Sequence, residues 1–296
     1  MIYSVRHLTE VRYATMVQLA RFNLRLKPAD WPGQTLHDYK LKVTPRPASF
    51  STQEGGYIVN VSRVALLQPI SQLHIESSFR VEIVPGAELD MTLSPDLATL
   101  KSTAVESRDL TKLGPAFYLF PSPVAHAERE IARWAYGIVN DNIDVVSAGN
   151  ALMAAIYNGF TYDGEATEAD TAPIEAFHKR RGVCQDFTHI MIIAARALGI
   201  PAAYVSGYLR TIPPPGKERL VGADATHAWV NLWCGEALGW IGFDPTNNVL
   251  AQTDHIFTAM GRDYGDVAPL DGVFLGSAGQ QMRTSVDVVP LENVSA

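Results

Sequence analysis

The segment "CQDFTHIMIIAARAL", residues 184 to 198, is the feature that most limits what this chain can become. Phe187, Ile190, Met191, Ile192, Ile193, Ala194, Ala195 and Leu198 spread apolar surface around nearly the whole circumference of a helix. Such a helix is buried rather than merely amphipathic, so other elements must surround it. It stops at "LGIP", where Gly199 suits the left-handed C-terminal position and Pro201 cannot continue. At its other end stands Cys184, one of two cysteines in 296 residues. The first turn of a helix offers free backbone N–H groups and the positive end of the macrodipole. A thiol placed there ionises more readily, and the thiolate is the nucleophile. Gly182, just upstream, is expected to permit a tight backbone turn and the approach of a substrate.

The surroundings of that helix can be read in outline. From Met1 to about Pro85 the chain has alternating segments, among them "VQLARFNLRLKP", "DYKLKVTP", "GYIVNVSRVALL" and "LHIESSFRVEIVP", punctuated by Pro and Gly. These predict an antiparallel β-domain. Residues 86–121 have weak periodicity and read as a connection. Helical patterns follow from Ser122, an N-cap candidate before Pro123, through "VAHAEREIARWAYGIV", "VVSAGNALMAAIYNGF" and "PIEAFHKRR". Beyond the apolar helix, "PAAYVSGYLR", "HAWVNLWC" and "GWIGFDP" read as strands. Helices followed by an antiparallel sheet make the class α+β. The expected division is a β-rich region with its connection over 1–120 and a helix-and-sheet region over 121–296 that ends in a strand extension. "TIPPPGKERLVGAD", 211–224, is the clearest long loop, expected as a hairpin connection or the rim of a cleft.

Composition narrows the partners. Hydrophobic residues at 47% and charged residues at 19% are ordinary for a chain that folds by itself. A formal net charge of −7 argues against nucleic acid, whose binding needs clustered Lys and Arg; "HKRR" alone is too short. The N-terminus lacks the pattern of a signal peptide and no window has the apolar length of a membrane span, so no membrane partner and a cytoplasmic location are expected. In a reducing compartment Cys184 and Cys234 stay as thiols. The sequence carries no preference for an oligomeric state.

A nucleophilic cysteine needs a proton acceptor, and "THAWVNLW" supplies His227 at the start of an apolar strand. "GWIGFDPTNN" then places Asp244 where another strand ends against a turn. A carboxylate bound to one imidazole nitrogen fixes the tautomer, so the other nitrogen can take the thiol proton and later protonate a leaving amine.

Together, "GVCQDFTH", "SGY" at 206–208, "HAWV" and "GFDPTNN" resemble the transglutaminase-like cysteine hydrolases of the papain-like superfamily. "GRDYGDVAPLDGVFLG", 261–276, is similar to the tail of a prokaryotic branch that also carries a β-rich N-terminal domain. The resemblance implies a nucleophile helix packed on an antiparallel sheet. It implies Cys184 as nucleophile, His227 as general base and acid, and Asp244 as the orienting residue. It also implies a peptide, protein or amide substrate and no metal or organic cofactor. The activity expected is hydrolysis through a thioester, as a protease or amidase; transamidation by an amine acceptor, or a binding protein that keeps the fold without turnover, are the alternatives.

Other residues carry less. "FTYDGEAT" resembles a family segment upstream of the nucleophile, so Tyr162 is a candidate substrate-binding residue or simply a packed aromatic. Asp186 reads as a charge at the helix start, His189 as structural and Cys234 as inert. Neither paired Cys nor His-Glu-x-x-His spacing suggests zinc, and no Gly-x-Ser-x-Gly elbow suggests a serine hydrolase.

Overall fold

The computed structural model describes residues 1–86, 88–140, 143–211, 225–276 and 279–291. The N-terminal region is formed by β1 (Ile2–Val17), β2 (Leu19–Leu24), β3 (Gln34–Thr44), β4 (Ser49–Glu54), β5 (Asn60–Leu66) and β6 (Ile70–Ile83). Alternation in β1 and β6 buries every second side chain, the pattern of sheets with one face on a core. Val11, Tyr13, Phe22, Leu24, Leu66 and Leu73 meet in one such core between two sheets.

The segment after β6, expected as a plain connection, contains α1 (Leu97–Glu106), whose first turn is capped by the Asp96 carboxylate on the Thr99 N–H at 2.9 Å. Then come α2 (Arg129–Ile138), α3 (Val145–Gly159), β7 (Thr161–Tyr162), α4 (Pro173–Lys179), β8 (Arg181–Gly182) and α5 (Cys184–Ala197). The expected helix start at Ser122 is wrong by a turn and a half. Ser122 Oγ accepts from Arg196 (3.1 Å) instead of capping, and the Val124 N–H is taken by Asp263 at 2.8 Å, so tertiary partners hold this stretch out of helix.

The rest of the chain forms β9 (Ala202–Leu209), β10 (Ala225–Trp233), β11 (Trp240–Asp244), β12 (Val249–Leu250), β13 (His255–Gly261), α6 (Tyr264–Val267), β14 (Leu270–Leu275) and β15 (Gln280–Leu291). The central sheet runs β12-β11-β10-β9-β13, with antiparallel pairing throughout. Helices cover one side of it: Ile190, Ile193 and Ala194 of α5 share a core with Ala228, Val230 and Leu232 of β10. A separate cluster joins the sheet to the N-terminal region, with Val205, Trp229, Phe257 and Met260 against Ala29 and Trp31. Covered in this way, β9 and β13 are almost wholly buried, which is why their sequences run apolar instead of alternating.

At the C-terminus, chain order and spatial grouping part. Residues 270–291, expected to extend the helix-and-sheet region, turn back: β14 pairs with β2 and β15 with β1 along its length. Val286 and Val288 thereby join Tyr3, Val5, Phe79 and Val81 in a core that also receives Tyr208 and Ile256. The free edge of β1 offered unpaired N–H and C=O groups, and β15 satisfies them. No helix among the described residues is long and apolar enough to cross a membrane.

Candidate active site

The site is assembled at the N-terminus of α5 and at one end of the central sheet. Cys184 is the first residue of the helix and is partly exposed. The turn before it is fixed by Asp186, whose carboxylate accepts the Val183 N–H at 2.8 Å and the Thr167 hydroxyl at 2.7 Å. This is the backward half of a capping arrangement. Gly182 is required by it: a Cβ there would fall 2.5 Å from the Asp186 carboxylate. The space expected for a substrate is therefore occupied by the helix cap. Burial raises the Asp186 carboxyl from its ordinary range, against the opposing pull of the Val183 N–H and Thr167.

His227 lies in β10 and Asp244 ends β11. His227 Nε2 and Asp244 Oδ2 are 2.8 Å apart, with the imidazole nearly buried and the carboxylate wholly so. That bond leaves Nδ1 as the other nitrogen, and Cys184 is near enough for its charge to act on the ring. Burial opposes charging of His227, but hydrogen bonds and charge from Asp244 and Cys184 outweigh it and raise the imidazole well above its usual range. For Asp244 burial likewise opposes charge and is overcome by His227, His255 and Asn247, holding the carboxyl far below its usual range. The Trp229 ring lies nearly parallel to His227 at 6.2 Å and is itself buried, which keeps water from this side of the pair.

The Asp244 carboxylate is unusually well supplied with donors. Its Oδ1 accepts from the Thr246 and Asn247 backbone (2.9 and 3.2 Å), a turn closed by the carboxylate itself. Its Oδ2 accepts from Asn247 Nδ2 at 2.7 Å in addition to His227. A residue that sequence reasoning missed completes the set: His255 Nε2 lies 3.1 Å from the same Oδ2. A usable signal was present, since His255 opens an apolar strand.

His227, Asp244 and His255 bring their ligand atoms within 4.8 Å of one another, the arrangement among the described residues that could accept a metal ion. The ring nitrogens nevertheless already meet the carboxylate in hydrogen bonds, so a cation there would have to displace two N–H···O contacts. The geometry is that of a hydrogen-bonded chain.

The remaining candidates are placed as follows. Tyr162 is 60% exposed, its ring edge-on to Phe187 at 6.5 Å. Burial, and then the charge of Cys184, raise its hydroxyl above the ordinary range. Gln185 donates to the Ala169 carbonyl at 2.8 Å and thus ties the 163–170 loop over the helix start. His189 is buried and accepts the Tyr264 N–H at 3.2 Å, a structural role. Cys234 is fully buried, and desolvation drives its thiol far above the ordinary range, as an inert thiol requires. The long loop falls mostly on 212–224, outside the described residues.

Comparison with known proteins identifies the family and the fold. Residues 132–245 match the Transglutaminase-like superfamily, and residues 3–82 match the Bacterial transglutaminase-like N-terminal region. An uncharacterised protein of Mycobacterium tuberculosis (strain ATCC 25618 / H37Rv) is 36% identical over 296 residues, covering 98% of this chain and 93% of the relative. A protein-glutamine gamma-glutamyltransferase of Pseudomonas aeruginosa is 29% identical over 211 residues, covering 63% of this chain and 30% of that longer protein. A solved structure from Cytophaga hutchinsonii, described as a candidate cysteine protease, superposes with a TM-score of 0.75 at 22% identity, covering 99% of this chain and 92% of that one. That likeness extends the shared fold over the N-terminal sheets and the returning C-terminal strands as well as the central sheet. With its β-rich N-terminal region, its buried cysteine-headed helix and its antiparallel sheet, the chain belongs to the transglutaminase-like superfamily.

Proposed function

We propose that the protein is a cysteine-dependent acyl-transfer enzyme acting on peptide or carboxamide bonds, with Cys184 as nucleophile, His227 as base and acid, and Asp244 as orienting residue. The observation that carries this reading is the buried His227–Asp244 hydrogen bond at 2.8 Å, with Cys184 at the N-terminus of α5 near enough for its charge to act on the same imidazole. The Cys184 sulfur, its proton on His227, attacks the carbonyl carbon. The negative charge that develops on the carbonyl oxygen is met by the Cys184 backbone N–H at the head of α5. Collapse of the adduct breaks the carbon–nitrogen bond while His227 returns the proton to the departing amine, leaving a thioester. Water, deprotonated by His227, then cleaves the thioester to an acid and restores the thiol. Tyr162, exposed beside the nucleophile, serves as a wall of the substrate cleft.

Hydrolysis is the leading reading, with a protein or peptide as substrate. The relative from Pseudomonas aeruginosa favours a second one, in which a primary amine takes the place of water and an amide is re-formed. Both use the same three residues. Incubating glutamine-containing peptides and simple amides with and without a primary amine, and weighing the products, separates them: the free acid alone marks a hydrolase, an amine adduct marks a transferase. Asp244→Asn should lower turnover by roughly 10³–10⁴, as loss of an orienting carboxylate does elsewhere. Turnover unchanged in folded Asp244→Asn, or retained in Cys184→Ala, would remove the reading.

A further inference from the structure

His255 reaches the reacting groups through Asp244. The backbone N–H of Gln252 donates to His255 Nδ1 at 3.3 Å. A ring nitrogen that accepts an N–H carries no proton, so the neutral ring bears its proton on Nε2 and donates it to Asp244 Oδ2. His227 uses the same oxygen. Two imidazoles thus share one carboxylate oxygen, and each donor draws on electron density the other would otherwise receive.

The position of His255 is set from outside the central sheet. Its neighbour Asp254 accepts from the Tyr3 hydroxyl of β1 at 2.7 Å and pairs with Arg210 at 3.2 Å. Two residues further on, the Gln34 amide both donates to and accepts from the Phe257 backbone, at 2.8 and 2.9 Å. Trp31 stacks on the Phe257 ring at 4.4 Å, and the edge of Trp229 meets the His255 ring at 5.3 Å. Among the described residues, the titratable groups beside this pair of imidazoles are Asp244 from β11, Cys184 from α5, and the Asp254–Arg210–Tyr3 group next to β13.

We infer that His255 is a positioning residue for the reaction: held in place by the N-terminal region, it donates to Asp244 Oδ2 and limits how tightly that carboxylate grips the His227 imidazolium. This rests on the Cys184–His227–Asp244 reading above. An imidazolium gripped too tightly is slow to give its proton to a leaving amine. His255 moderates the grip, and through Tyr3 and Gln34 it makes the N-terminal region part of the site.

The test is the rate of Cys184 alkylation by chloroacetamide across the pH range, in the full chain, with Cys184→Ala correcting for Cys234. In the wild type the rate should show two steps, the upper one marking loss of the His227 proton. His255→Phe keeps a ring but removes the donor, and should move the upper step up by roughly 0.5–1 pH unit, the worth of one hydrogen bond. His255→Gln, whose amide can donate from the same place, should restore it. A role in packing alone would lower the melting temperature of both variants and leave the step where it was, which overturns the inference. A wild-type profile with a single step typical of an isolated thiol would instead overturn the triad beneath it. If His255→Phe does not fold, ¹⁵N spectra of histidine-labelled wild-type protein decide: a protonated Nε2 on His255 supports the inference, and a protonated Nδ1 overturns it.

Discussion

His7 and His189 are buried away from the site, and burial holds both imidazoles down at about 4, in His189 despite the nearby charge of Asp263. His7 bonds the Tyr208 and Thr9 hydroxyls, both at 3.0 Å, and His189 accepts a backbone N–H, so both are neutral parts of the core. Unfolded, each would titrate near 6.5, and the unfolded chain then binds more protons than the folded one as the pH falls. Their contribution is complete above about pH 6.5 and is lost between there and about 4, with an upper bound of about 3 kcal/mol for each group. Melting temperature measured against pH should therefore be level at neutrality and fall through this window, and His189→Gln should reduce the slope. His227 has the opposite sign: its raised imidazole contributes below its unfolded range and loses that contribution on the alkaline side.

At the scale of elements, the start of α5 depends on Gly182, Val183 and Asp186. Gly182→Ala would push a methyl group into the Asp186 carboxylate, release the Val183 N–H and displace Cys184 with the first turn. A loss of about 1–2 kcal/mol in chemical denaturation is expected from the cap. Turnover should fall more than stability does, because the sulfur moves relative to His227; equal, small effects on both would contradict this account of the glycine. The same helix explains what the sequence made legible. Its all-round apolar face and the strands at 202–209 and 225–233 could be read because local pattern and local chemistry agree there. Cys184, His227 and Asp244 stand out by motif, and their joint role is what the turnover and alkylation experiments test. α1 was missed because its periodicity is weak: only Leu97, Leu100 and Ala104 are buried, and Val105 faces outward. The start of α2 was misjudged because Arg196 and Asp263, remote in sequence, took the groups that a cap would have used. His255 was passed over because its meaning lies in a bond to Asp244 that only the fold creates.

Across the whole molecule, the return of the C-terminal strands was beyond sequence reading, since nothing local specifies that β15 should lie along β1. It has a practical outcome. A fragment beginning at residue 121 would carry β14 and β15 without β1 and β2, and His255 without Tyr3 and Gln34. It should lack a cooperative thermal transition and show no selective alkylation of Cys184, whereas the full chain should show both; a fragment that melts cooperatively would mean that the N-terminal region is an accessory. The bonds along β13 reach further than the chemistry. Ala29 and Met260 donate to Thr258 and Ile58 across its outer side, while at the opposite margin β12 spans only Val249–Leu250. Five apolar strands would otherwise present a template on which other copies could stack. Capped on one flank and nearly absent on the other, they leave little ladder for a neighbour to extend, so the segments that hold His255 also guard the protein against growing into fibres.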